Sequence, residues 1–97
     1  MNNTPIVTIL TPTYNRCDKL KDLYQSLLGQ SNKDFIWFIV DDGSTDKTEE
    51  AVVAWQDNSP LRIVYKKKPN GGKHTALNYS YQYIETPLTF IVDSDDT

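Results

Sequence analysis

Cysteine is nearly absent from this chain. Cys17 is the single one in 97 residues, so no intrachain disulfide can form and a reducing compartment is the simplest setting. That points to the cytoplasm, with room for peripheral association at the inner face of the membrane. No companion histidine lies near Cys17 in sequence, so it reads as a packing or helix-start residue rather than a nucleophile. Long apolar runs are missing too: none approaches the roughly 20 residues that span a bilayer. Met1-Asn2-Asn3-Thr4-Pro5 lacks the basic-then-apolar pattern of a signal peptide. Positive charge is scarce. A net charge of −3 argues against general nucleic-acid binding, which wants a basic face. The one basic run, Lys66-Lys67-Lys68, reads as a solvated strand end. The dinucleotide fingerprint G-x-G-x-x-G is absent. Gly72-Lys73 does not end a Walker loop, because position 67 is Lys where Gly is required. The lone histidine, His74, has no partner at metal-ligand spacing and reads as a surface or loop-packing residue.

A 38% share of hydrophobic residues with 24% charged suits one small soluble domain with a modest core, not a disordered chain. Strand and helix patterns alternate along it. Ile6-Val7-Thr8-Ile9-Leu10 is β-branched and apolar until Pro12 intervenes. From Asp18 the period changes: Leu20, Leu23, Tyr24, Leu27 and Leu28 share one helix face, with Gly29 as a stop. Phe35-Ile36-Trp37-Phe38-Ile39-Val40 shows no alternation, so it is expected to be covered on both faces, as in a parallel sheet. Ser44 or Asp46 can cap a second helix, which turns Thr48, Ala51, Val52 and Trp55 inward. Leu61-Arg62-Ile63-Val64-Tyr65 alternates, as an edge strand does. A third helix is expected over 73–85 with Ala76, Leu77, Tyr81 and Ile84 inward. A buried-looking fourth strand, Leu88-Thr89-Phe90-Ile91-Val92, follows.

The pattern β-α-β-α-β-α-β with short connections predicts a Rossmann-like three-layer α/β/α fold. Its four mainly parallel strands would run in the order 3-2-1-4 with right-handed crossovers. In such sheets ligands bind beyond the carboxyl ends of the strands, where the order reverses. Thr11 to Asn15, Asp41 to Ser44 and Asp93 to Asp96 all fall at strand carboxyl ends, and Asn70 to Lys73 precedes a helix.

Each segment offers chemistry and a plainer alternative. The Tyr14 ring can stack on a base or be a surface aromatic in a turn. Asp41 and Asp42 can accept hydrogen bonds from a nucleobase or ribose, or merely begin a turn. Gly71-Gly72 lets backbone approach a ligand, and Lys73 supplies a charge for phosphate; Asn-Gly is also a common turn. Asp93, Asp95 and Asp96 crowd where an apolar strand ends. Three carboxylates there repel unless a cation joins them, and Mg²⁺ and Mn²⁺ prefer oxygen ligands. The alternative is a solvated acidic turn. The spacing does not fit an EF-hand.

Together the residues Thr11-Pro12-Thr13-Tyr14-Asn15, Val40-Asp41-Asp42-Gly43-Ser44-Thr45-Asp46, Asn70-Gly71-Gly72-Lys73 with Ala76 and Asn78, and Asp93-Ser94-Asp95-Asp96 closely resemble the amino-terminal half of the family 2 glycosyltransferases of GT-A fold. The resemblance spans nearly the whole chain, so residues 1–97 are expected to be the nucleotide-sugar-binding half of such a domain. It implies inverting transfer of a sugar from a nucleotide donor, often a UDP-sugar, to a hydroxyl of a carbohydrate or lipid-linked acceptor, as in bacterial surface polysaccharide synthesis. It places Pro12 and Tyr14 on the base pocket, Asp41 on the uracil, and Gly72 and Lys73 along the nucleotide. Asp95 would reach the ribose or the metal-bound water, and Asp93, Asp95 and Asp96 would hold Mn²⁺ or Mg²⁺. In the family the general base lies downstream of the acidic cluster, so it is expected beyond Thr97 and the 97-residue chain is expected to be inert alone. An exposed fourth strand is expected to favour a homodimer. A non-catalytic nucleotide-binding module is the rival reading. A phosphoacceptor signalling domain ranks lower, since it wants its acidic pair after the first strand.

Overall fold

The computed structural model describes residues 7–30, 34–71, 73–84, 86 and 88–92. Seven elements follow in the expected order: β1 (Val7–Thr13), α1 (Cys17–Leu28), β2 (Ile36–Asp41), α2 (Thr48–Asn58), β3 (Arg62–Lys67), α3 (Lys73–Tyr81) and β4 (Leu88–Ile91). The strands form one sheet in the order β3-β2-β1-β4, and every pairing is parallel.

The sheet has a core on each face. On one side Trp37 and Ile39 of β2 pack with Leu20, Tyr24 and Leu27 of α1 and Val52 of α2. On the other, Leu10 of β1 and Phe38 and Val40 of β2 pack with Ala76 of α3. Adjacent β2 side chains thus enter opposite cores, and this is why the strand reads as an unbroken apolar run. Tyr24 stacks on Trp55 at 4.3 Å between ring centroids and faces Trp37 at 6.0 Å. Such aromatic pairs add about 0.5–1.5 kcal/mol each beyond their buried area. Two of the three buried β1 hydroxyls are paired: Thr11 Oγ1 accepts the Trp37 Nε1–H at 3.0 Å, and Thr8 shares a 2.7 Å hydrogen bond with Thr86.

Three local expectations are corrected. Pro12 does not end β1, which continues to Thr13 beside β2. The Leu10 carbonyl accepts the Val92 N–H on the β4 side. Alternate residues of a strand point their backbone groups the same way, so Pro12 turns its missing donor away from β2 and the β1–β2 ladder survives. The third helix stops at Tyr81, and Tyr81 is exposed rather than inward, whereas Ala76 is buried and Ile84 packs against the core. The apolar fourth strand is exposed, as its expected place at the end of the 3-2-1-4 order implies: Leu88, Phe90 and Ile91 are each about half exposed or more. It lies at the sheet edge, with β1 as its one hydrogen-bonded neighbour. Among the described residues no helix is long and apolar enough to cross a membrane.

Candidate functional site

Parallel pairing brings the carboxyl ends of β1, β2 and β3 to one end of the sheet, and backbone bonds carry the ladder one residue further. The Asp42 N–H donates to the Thr13 carbonyl and the Lys68 N–H to the Asp41 carbonyl, both at 2.8 Å. At that end the loops after β1, β2 and β3 interlock.

The first lock joins the β1–α1 loop to the turn before α2. Asn15 sits in the left-handed region at φ 50°. Its N–H donates to Ser44 Oγ at 2.8 Å, and its Oδ1 accepts the N–H groups of Thr45 at 2.8 Å and Asp46 at 3.3 Å. Asp46 receives both helix starts: the Cys17 N–H at 3.2 Å and the Thr48 N–H at 3.0 Å, with the Thr48 hydroxyl beside it. Burial works against the Asp46 charge. The Thr48 and Cys17 donors outweigh it and hold the carboxyl below its ordinary range. Burial, then the nearby Asp46 charge, pushes the Cys17 thiol up, which suits the packing role read from the sequence.

The second lock joins the turn after β2 to the β3–α3 loop. Asp42 Oδ1 accepts the Gly71 N–H at 2.9 Å and pairs with Lys68 Nζ at 2.8 Å. The Asn70 side-chain amide donates to the Asp42 carbonyl at 3.1 Å. Gly43 adopts φ 82°, and a Cβ placed on it would stand 2.8 Å from the Asn70 nitrogen. The two loops therefore meet backbone to backbone, and the glycine is needed both for its dihedral and for its lack of a side chain.

Asp41 lies beneath these loops, with no exposed surface. Its Oδ1 accepts the Ser44 N–H at 2.8 Å and its Oδ2 the Tyr65 hydroxyl. Burial first, then the hydrogen bond and charge of Asp41, push the Tyr65 phenol far above its ordinary range. Thr13 is the register partner of Asp41. Its hydroxyl is buried and has no hydrogen-bond partner among the described residues.

The expected site residues are placed as follows. Pro12 is buried at the end of β1, and Tyr14 follows in the loop with 44% of its surface open. Asp41 is close by in sequence register, but both its oxygens are engaged from inside the protein. Lys73 opens α3, and its side chain lies outside the described residues, as do Gly72, Asp93, Asp95 and Asp96. Among the described residues no group of three His, Cys, Asp or Glu side chains could hold a metal ion. Strand β4 runs parallel to β1, and the ladder is described as far as the Val92 N–H, which reaches the Leu10 carbonyl at 2.9 Å.

Sequence reasoning missed several partners. Lys68 is not a solvated residue; its side chain is 11% exposed and pairs with an Asp42 side chain that is 5% exposed. Its run-mates do behave as surface residues, Lys67 pairing with Glu49 and Lys66 lying over the Tyr83 ring. Ser44 does not cap α2 but ties Asn15 to Asp41. Tyr65 was visible as an edge-strand aromatic, and its reach to Asp41 follows only once β3 is known to lie beside β2.

Comparison with known proteins agrees with this architecture. The family model for Glycosyl transferase family 2 matches residues 8–97. Hyaluronan synthase of Pasteurella multocida is 34% identical over 96 residues, covering 99% of this chain and 10% of that protein. The solved mannosyltransferase PcManGT of Pyrobaculum calidifontis, in complex with GDP-Man and Mn²⁺, superposes with a TM-score of 0.82 at 28% identity. That match covers 94% of this chain and 28% of PcManGT. S. aureus TarS residues 1–349 in complex with UDP gives 0.81 at 28% identity, covering 92% and 27%. The chain thus spans little more than a quarter of these relatives at most. With the model match running over nearly all of its length and GT-A glycosyltransferases as its structural neighbours, the chain belongs to glycosyl transferase family 2.

Proposed function

We propose that residues 1–97 form the donor-binding half of an inverting glycosyltransferase that moves a sugar from a nucleotide diphosphate, a UDP-sugar by preference, to an acceptor hydroxyl in polysaccharide synthesis. The observation that carries this reading is the interlocking of three loops at the carboxyl ends of β1, β2 and β3, with Tyr14 open beside them; Asp93, Asp95 and Asp96 follow β4 in the sequence. Support comes from relatives solved with UDP and with GDP-Man and Mn²⁺.

In this reading Tyr14 offers its ring to the base and Pro12 closes the floor of the pocket. Asp41, fully buried, holds Ser44 and Tyr65 in place beneath the loops and acts on the base pocket through them. Asp42 shares its carboxylate with the Gly71 N–H and Lys68, so it orders the loop along which Lys73 would meet the diphosphate. Carboxylates are hard oxygen donors, and Asp93, Asp95 and Asp96 fit Mn²⁺ or Mg²⁺. When bound, the ion supplies charge that offsets the negative charge on a departing diphosphate. The acceptor proton would leave to a separate carboxylate on the opposite face of the sugar.

Calorimetric titration with UDP, GDP and CDP, with and without Mn²⁺, tests the reading. UDP is expected to bind best, with metal-dependent gain that disappears when Asp95→Ala and Asp96→Ala are combined. Equal and metal-independent binding of all three nucleotides, or none, would reject it.

A further inference from the structure

We propose that Asn15 is a positioning residue for the nucleotide donor, acting on Tyr14 through the turn formed by Ser44, Thr45 and Asp46; the nucleotide part of this proposal rests on the functional reading above. Asn15 meets three demands at once. Its backbone lies at φ 50°, a region open chiefly to Gly, Asn and Asp. Its N–H donates to Ser44 Oγ at 2.8 Å. Its side-chain oxygen accepts the Thr45 N–H at 2.8 Å and the Asp46 N–H at 3.3 Å, with the Thr45 hydroxyl at 3.5 Å. Glycine would meet the first two demands and lose the third. Alanine would strain the first and lose the third. Aspartate would meet all three but bring a second charge next to the Asp46 carboxylate.

The contacts bridge about thirty positions of sequence and fix a residue whose immediate neighbour is Tyr14. The Ser44 end of the bridge continues inward, because the Ser44 N–H donates to Asp41 Oδ1 and Tyr65 donates to the other oxygen. The exposed Tyr14 ring is therefore carried on backbone that is anchored, through Ser44 and Asp41, to two strands of the sheet. An aromatic platform held in place before the ligand arrives spares the ordering cost that a loose loop would charge to binding. Asn15 acts through Tyr14 and need not touch the nucleotide.

The test compares the 97-residue chain with Asn15→Gly, Asn15→Ala and Asn15→Asp. Amide hydrogen exchange is read without nucleotide, and UDP affinity is read with Mn²⁺ at a temperature where every variant is folded. Asn15→Gly is expected to speed exchange of the Thr45 and Asp46 amides and to weaken UDP about tenfold through lost pre-organisation. Asn15→Asp is expected to restore the protection and part of the affinity. If Asn15→Ala fails to fold, Asn15→Gly carries the test alone, since its backbone is unstrained. A role confined to stability would lower the melting temperature of Asn15→Gly and leave the affinity of the folded protein unchanged, and that result would overturn the proposal, as would unchanged exchange at Thr45 and Asp46. A wild-type chain that binds no nucleotide diphosphate would reject the functional reading and the nucleotide role with it, while the exchange data would still decide whether Asn15 holds the turn.

Discussion

Replacing Gly43 and Gly29 by alanine should move stability in opposite directions. At Gly43 two penalties combine. The backbone is at φ 82°, where an L-residue costs about 1–2 kcal/mol. The new Cβ would also stand 2.8 Å from the Asn70 nitrogen and 3.2 Å from its Cα and Cβ. The crowded atoms include Asn70 backbone, so relief requires the two loops to part. Parting them strains the Asn70 amide bond to the Asp42 carbonyl and the Gly71 N–H bond to Asp42 Oδ1. A neutral hydrogen bond is worth about 0.5–1.5 kcal/mol and one to a charged group about 1.5–3. Partial loss of both, less the ~0.4–1 kcal/mol that alanine gains by restricting the unfolded chain, leaves Gly43→Ala destabilised by roughly 2–4 kcal/mol. For a domain of this size each kcal/mol lowers Tm by about 4–8 °C. Gly29 is the control. It ends α1 at φ −76° with only Ser26 and Gln25 carbonyls near an added Cβ, at 3.5 and 3.8 Å. Gly29→Ala should be neutral or raise stability by up to ~1 kcal/mol. Gly43→Asn separates the two penalties at the first site, since Asn tolerates the left-handed region but still carries a Cβ. Urea unfolding of the three variants reads all these effects. Equal stability of Gly43→Ala and wild type would refute the close approach of the two loops.

Three further outcomes follow from the site. The Tyr65 phenol is raised in the folded state, so its contribution is fully present below the unfolded value of about 10 and is lost as pH climbs beyond it; absorbance titration should find Tyr65 ionising later than exposed tyrosines, and Tyr65→Phe should flatten the alkaline fall in stability. Asp46 is shifted the other way, so its contribution is present above about pH 4 and fades as acid protonates it; Asp46→Asn should show a shallower loss of stability on acidification, measured by circular dichroism. Thr13→Val removes a buried hydroxyl that lacks a partner among the described residues and should leave stability unchanged or raise it by up to about 1 kcal/mol; a loss beyond that would reveal a bound water or other partner at Thr13.

The sheet was legible because its signals are strong and redundant. An unbroken apolar run marks β2 as central, alternation marks β3 as an edge, and a 3.6 period marks α1. The order 3-2-1-4 put the apolar β4 at a sheet edge, and Leu88, Phe90 and Ile91 are exposed there. The helical pattern over 73–85 overran its end because Ile84 falls at helical spacing and packs against the core from the turn beyond Tyr81. At the site, motif positions identified which loops matter but not how they bond. Asp41 and Asp42 look equivalent as neighbours in sequence. Yet Asp41 serves Ser44 and Tyr65, while Asp42 serves Lys68 and Gly71. That division depends on cross-strand register, which a single sequence does not display. The network through Asn15 was hidden for the same reason, its partners lying about thirty residues away.

Paramagnetic broadening by Mn²⁺ in the presence of UDP is the most direct test that one metal–nucleotide site forms at the carboxyl end of this sheet. Amide signals of Tyr14, Ser44, Gly71 and Val92 should broaden strongly, while those of Val7, Ile36 and Leu61 at the opposite end should stay sharp, and the pattern should weaken when UDP is withdrawn. Broadening centred on the amino ends of the strands, or on the acidic face of α2 at Glu49 and Glu50, would contradict the account.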